Sequence, residues 1–166
     1  MGSKSALHLG RPIIYPLPVS CSFCHKNAAS CFYCIAQQTS TATPQLLGFC
    51  RESISSLHAG EHFGLGRYGD PVDPIAHLKF IQSLTRVLAP GGRLYFSVPS
   101  GVEQLLFNAH RVFAPETVVN AFSGLELLSF SCVKDDGAFY ENCSPSEISK
   151  EMYGCGFYEY TKLEGK

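Results

Sequence analysis

The chain has 166 residues, of which 45% are hydrophobic and 16% charged, a balance that supports one packed domain and excludes compositional disorder. Thirteen basic and fourteen acidic side chains leave a net charge of −1, which argues against a general nucleic-acid binder. No apolar run approaches the roughly 18 residues that a membrane-spanning helix needs.

The charge divides the chain. Residues 1–50 hold Lys4, Arg11 and Lys26 and no acid, together with five of the eight Cys. Residues 51–166 carry the remaining bases and all fourteen acids, a balance of −4. The expected organisation is therefore a Cys-, Pro- and Ser-rich leader over 1–50, poorly ordered, followed by an α/β domain over 51–166.

Several readings of the leader stand side by side. Its hydroxyl-rich, acid-free composition resembles a targeting segment, although Pro12, Pro16 and Pro18 interrupt any amphipathic helix. Met1-Gly2-Ser3-Lys4-Ser5 begins a myristoylation pattern, but Ala6 stands where a hydroxyl residue is wanted. Cys21, Cys24, Cys31 and Cys34 form two Cys-x-x-Cys pairs that would suit a tetrahedral zinc ion. Only six residues separate the two pairs, a short link for that geometry. Cys132, Cys143 and Cys155 lie in ordinary α/β sequence and are expected to be reduced thiols. The lack of a recognisable signal peptide points towards the cytoplasm and leaves the compartment open.

From residue 51 the pattern alternates. Ser53–Leu57 reads as a short strand. A Gly-, Asp- and Pro-rich loop follows from Gly60 to Asp73. Asp73 as N-cap and Pro74 at the first position open a helix, with Ile75, Leu78, Ile81, Leu84 and Leu88 on one face. Pro90-Gly91-Gly92 is expected to stop it. Arg93–Val98 reads as a strand ended by Pro99, and Pro115–Phe122 as a short helix closed by Gly124. Leu125–Val133 reads as a strand, and residues 138–154 as irregular with one helical turn after Ser144-Pro145. Gly156–Lys162 is the closing strand. This order predicts an α/β layer with at least one parallel strand pair.

Two short patterns stand in the first loop. Gly64-Leu-Gly66-Arg-Tyr-Gly69 has the spacing of a dinucleotide fingerprint, but the next helix begins only near Pro74, so no helix N-terminus would face a phosphate. His58-Ala-Gly-Glu61-His62 has the spacing of a zinc-protease motif, but glycines in and after it argue against the helix that motif needs. There remain two imidazoles and a carboxylate past the carboxyl end of a strand, where open α/β sheets place their ligands.

The stretches Ser55–Pro71, Arg86–Pro99, Phe107–Phe113 and Tyr153–Lys162 resemble the uncharacterised family called domain of unknown function 268, over roughly residues 51–163. That family is in turn similar to class I S-adenosylmethionine-dependent methyltransferases. The resemblance implies a partial Rossmann-like sheet, with residues 54–57 as strand four, 94–98 as strand five, 125–133 as strand six and 157–162 as strand seven. It implies His58, Glu61 and His62 as candidate bases that take a proton from a methyl acceptor. Arg67, Tyr68 and Asp70 in the glycine loop, and Asn108, His110 and Arg111 after strand five, are candidate acceptor contacts. His110 and Arg111 would equally serve to tie a loop to the sheet, and Asp70 and Asp73 would serve as turn and cap residues. S-adenosylmethionine is the implied cofactor.

The departure from that pattern is the cofactor half. A glycine-rich loop after strand one and an acid after strand two would precede residue 51, and residues 1–50 offer neither. The expectation is an incomplete or divergent domain whose strand at 53–57 has an open edge, to be covered by a partner chain or a second copy. A non-catalytic interaction domain and a small zinc module at residues 21–34 are the alternatives to a methyltransferase.

Overall fold

The computed structural model describes residues 50–164. Strand β1 (Arg51–Leu57) leads through a single 3-10 turn (Gly60–His62) to helix α1 (Ala76–Val87) and strand β2 (Leu88–Ser100). A small hairpin of β3 (Gln104–Leu106) and β4 (His110–Val112) precedes helix α2 (Pro115–Ala121). Strands β5 (Glu126–Val133) and β6 (Phe139–Tyr140), a 3-10 turn (Pro145–Ile148) and β7 (Gly154–Thr161) complete the order. The five long-sheet strands are arranged β1-β2-β7-β5-β6.

β1 and β2 are parallel, with α1 as their crossover, whereas β7 runs antiparallel to both of its neighbours, β2 and β5. The α/β class holds, and the four strands that the methyltransferase resemblance numbers four to seven are β1, β2, β5 and β7. Residues 1–49, including the predicted zinc ligands Cys21, Cys24, Cys31 and Cys34, lie outside the described residues. Among the described residues no group of three or more His, Cys, Asp or Glu side chains could hold a metal ion. No helix among them is long and apolar enough to cross a membrane.

The apolar face predicted for α1 packs in part: Ile81 and Leu84 are buried, Leu78 is half-buried and Ile75, just before the helix, is exposed, whereas Phe80, outside the predicted face, is buried. Phe80, Ile81 and Leu84 are buried against Leu94, Phe96 and Val98 of β2, with Phe122, Tyr158 and Tyr160 in the same core. The alternation of β2 and β7 sends one set of side chains into this core and the other to the opposite face of the sheet. There Leu57, Tyr95 and Phe157 are exposed and line a shallow groove of about 260 Å³.

Several boundaries differ from the sequence reading, and three of them bear on the fold. Helix α1 begins at Ala76, two residues later than predicted. Asp73 still closes its entry: its Oδ1 accepts from the Ile75 amide at 3.0 Å and its carbonyl from the Ala76 amide. Pro90-Gly91-Gly92 does not end the helix. Val87 is the last helical residue, and Leu88, fully buried, turns directly into β2. The Pro-Gly-Gly run is a bulge inside that strand, where pairing jumps from Arg51↔Leu88 to Ser53↔Arg93. Glycine is required at position 92, because a Cβ would come within 2.9–3.1 Å of three backbone carbonyl oxygens. Pro99 likewise does not end β2, which runs on to Ser100 opposite Gly154.

Candidate functional site

The site forms where β1 and β2 end. The His58 amide donates to the Ser97 carbonyl at 2.9 Å, one step beyond the ladder, and His58 then takes a left-handed φ of 49°. Such a conformation is uncommon outside glycine. The following 3-10 turn lays Gly60 against the Phe96 ring, at a distance only a residue without a Cβ tolerates easily. Phe63 stacks on Phe80 with ring centroids 4.3 Å apart. These contacts drive the turn inwards and leave Glu61 only 2% exposed.

Glu61 sits between two imidazoles. Its Oε1 is 3.4 Å from His58 Nδ1 and 3.6 Å from His62 Nε2, while Oε2 is buried without a hydrogen-bond partner. The predicted trio is therefore assembled by a 3-10 turn and not by a helix. Its proton arrangement follows from the neighbours. His62 Nδ1 lies 2.7 Å from the Ala109 carbonyl, which only accepts, so Nδ1 carries a proton. A neutral His62 then presents a bare Nε2 to the carboxylate. An attractive contact requires one further proton within the Glu61–His62 pair.

His58 is the more exposed of the two imidazoles, 49% against 24%, and so the one better placed to take a proton from outside. With His58 Nδ1–H turned to Glu61, its Nε2 is free to accept, and it meets Cys155 Sγ at 3.0 Å. Burial, with a smaller contribution from the Glu61 charge, pushes the Cys155 thiol up to about 11. Cys155 is therefore an S–H donor to His58 at neutral pH. This cysteine was not among the sequence candidates. Its position depends on the register Pro99↔Cys155 between β2 and β7, which nothing in the local sequence announces.

The other candidates divide. Arg67 donates to the Ala109 carbonyl at 3.3 Å and lies over the Tyr68 ring, which meets His62 edge-on. These two side chains close one flank of the site. Asp70 is a turn residue: its oxygens accept from the Gly64 and Tyr68 amides at 2.7 and 3.3 Å. Arg111, 7% exposed, donates to the Phe63 carbonyl at 2.6 Å and reaches that of Glu61 at 3.4 Å. It ties the 3-10 turn to β4 and has no face open to a ligand. Burial lowers its pKa, and the charges of Asp70 and Asp73 oppose this. Asn108, with φ of 56°, turns the exposed β3–β4 hairpin. His110 packs edge-on against Tyr153.

The glycine loop is closed on itself. Besides the Gly64–Asp70 contact, the Asp73 amide donates to the Gly64 carbonyl and the Gly69 amide to the Gly66 carbonyl. Leu65 is buried beneath it. The loop from Gly64 to Gly69 is therefore a closed turn and not the strand-to-helix cradle of a dinucleotide fingerprint.

An α/β sheet with a carboxylate-backed imidazole at the carboxyl end of a strand is the class that fold and site define. Residues 48–147 match the family described as "Caenorhabditis protein of unknown function, DUF268", and the chain belongs to that family. No curated protein matches the sequence. Among solved structures the chain is similar to the N-methyltransferase NodS from Bradyrhizobium japonicum in complex with S-adenosyl-L-homocysteine, at 17% identity and a TM-score of 0.47, covering 78% of this chain and 52% of that one. It is also similar to a putative methyltransferase from Bacillus halodurans, at 15% identity and a TM-score of 0.47, covering 74% and 68%. A third is an S-adenosylmethionine-dependent methyltransferase from Clostridium acetobutylicum, at 11% identity and a TM-score of 0.45, covering 78% and 62%. The chain spans about half the length of the first of these, 52%.

Proposed function

We propose that this chain is a methyltransferase-like domain that carries the proton-accepting side of a transfer site. The observation behind this reading is the His58–Glu61 pair: Glu61, buried, faces Nδ1 of an imidazole whose Nε2 points away from it. A carboxylate in that position fixes the ring and favours the imidazolium formed when Nε2 takes a proton. An acceptor would approach His58 Nε2 in place of the Cys155 thiol, flanked by Arg67 and Tyr68. His62 anchors the turn through Nδ1–H to the Ala109 carbonyl, and so positions the neighbouring Glu61.

S-adenosylmethionine enters the proposal as the methyl donor that the family resemblance implies; the Gly64 and Gly69 amides are already taken within the glycine loop. Calorimetric titration of the full chain with S-adenosylhomocysteine tests the reading. Saturable one-to-one binding, retained in His58→Ala, supports a methyl-transfer site to which His58 adds the base. No binding by a cooperatively folded sample rejects it.

A second reading has its own observation. Among the described residues β1 is an edge strand, and Leu57, 62% exposed, adjoins the open groove with Tyr95 and Phe157. Parallel α/β sheets are ordinarily covered on both faces. A non-catalytic interaction domain, using a second copy or a partner strand along residues 53–57, fits that surface. Sedimentation equilibrium distinguishes it: self-association that Leu57→Asp abolishes supports it, and a clean monomer that binds S-adenosylhomocysteine counts against it. Zinc at Cys21, Cys24, Cys31 and Cys34 is a separate proposal, tested by metal content of chain purified without chelator.

A further inference from the structure

Two thiols outside the site stand together towards the β5–β6 edge of the sheet, across β7 from β2. Cys132 lies on β5, fully buried, and Cys143 lies half-buried after β6. Their Sγ atoms are 3.5 Å apart. The approach is set by the backbone. β5 and β6 pair through Cys132↔Tyr140 and Val133↔Phe139. The Cys143 amide donates to the Phe130 carbonyl at 3.0 Å, and the Asn142 amide to Ser131 Oγ at 3.2 Å. The chain between the two cysteines is thus pinned at several points across the same strand.

We propose that Cys132 and Cys143 form a two-electron oxidation site that a peroxide converts to an intramolecular disulfide. An S–S bond of about 2.05 Å requires the two sulfurs to close by about 1.5 Å, a movement within reach of side-chain rotation alone. Cys143 is the sulfur that solvent reaches, since Cys132 is fully buried. Its thiol takes one oxygen from the peroxide, giving a sulfenic acid and releasing water. The Cys132 sulfur then attacks the sulfenic sulfur. The S–S bond forms, the S–O bond breaks, and hydroxide leaves with the Cys132 proton as a second water. Two thiols and one peroxide thus become one disulfide and two waters. Burial, and next the hydrogen bond with Cys143, push the Cys132 thiol up to about 12, which agrees with Cys132 acting second.

The test uses the full chain, treated with hydrogen peroxide, alkylated in denaturant and digested with trypsin. Cleavage at Arg111, Lys134 and Lys150 separates peptide 112–134 from peptide 135–150, so that a Cys132–Cys143 disulfide alone holds them together. In the folded chain this linked pair should exceed any other disulfide of Cys143 by about tenfold or more, as expected for groups held in place. In urea the preference should disappear. Cys132→Ser should leave Cys143 as a sulfenic acid that dimedone traps. Should that variant not fold, Cys143→Ser must leave Cys132 unoxidised at the same dose. Recovery of both thiols alkylated after a dose that oxidises Cys50, or equal linkage of Cys143 to other cysteines in the folded chain, overturns the proposal.

Discussion

His58 Nε2 and Cys155 Sγ meet at 3.0 Å although ninety-seven positions separate them in the chain. The contact joins the turn after β1 to β7, two strands that share no ladder because β2 lies between them. It also fixes which end of the imidazole is available, since the other end faces Glu61.

The first prediction concerns that thiol. Burial raises Cys155 to about 11, whereas Cys50 is exposed. At pH 8 Cys155 should react with iodoacetamide roughly a hundredfold more slowly than Cys50, because the thiolate is the nucleophile. Peptide mapping of a partly alkylated chain reads both rates in one sample. Equal rates would show that Cys155 is not held as a half-buried donor to His58.

Glu61 supplies the second. Replacing it with Ala removes the carboxylate that both imidazoles face and empties a buried position. Loss of such a buried partner costs about 1–3 kcal/mol. Glu61→Gln should cost less, since it keeps the side-chain volume and an acceptor oxygen for His58 Nδ1–H. Urea unfolding of the three proteins checks the order. A neutral Glu61→Ala would mean that the carboxylate does not organise the turn.

How much of this was legible beforehand depended on sequence distance. His58, Glu61 and His62 lie within five positions at the end of one strand, so their assembly followed from locating that strand. Ile81 and Leu84 on the inner face of α1 followed from periodicity, whereas the buried Phe80 and the exposed Ile75 did not. The β3–β4 hairpin was not legible: each strand has three residues, and Leu105 and Phe107 are exposed, so no alternation marks it. Pro90-Gly91-Gly92 carried the right local chemistry for a turn, but its role as a bulge was decided by Glu52 and Arg51 on the neighbouring strand. Arg111 and Cys155 were settled by register between strands, which local pattern does not encode. In Arg111, the reading as a tie between loop and sheet prevailed over the reading as a ligand contact.

The third prediction tests the closed glycine loop. Gly64 has φ of 74°, and a Cβ there would run into the Asp73 carbonyl. Gly64→Ala should cost at least about 1–2 kcal/mol from the left-handed backbone alone, and more from the collision. Asp70→Ala, which leaves the Gly64 amide without its 2.7 Å partner, should destabilise by about 1 kcal/mol. Thermal unfolding measures both. A Gly64→Ala protein as stable as the parent would show that the loop is open in solution and able to offer its amides to a ligand.

The fourth concerns His77 on α1. Burial first, and then the positive charge of Arg111, lower its pKa from 6.5 to about 4, against the smaller opposing effects of Asp73 and the Pro74 carbonyl. Its ring rests 5.7 Å from that of Phe113. Above pH 6.5 His77 is neutral in both the folded and the unfolded chain and contributes no pH dependence. Between about 6.5 and 4 the unfolded chain binds a proton that the folded chain refuses. Stability should therefore fall as pH is lowered through that window. His77→Gln should remove this contribution, so the difference in unfolding free energy between the two proteins should be constant above pH 6.5 and shift in favour of His77→Gln below it. Urea titrations at several pH values give the difference directly. A difference independent of pH would show that the imidazole is solvated and that α1 does not press it against Phe113 and Arg111.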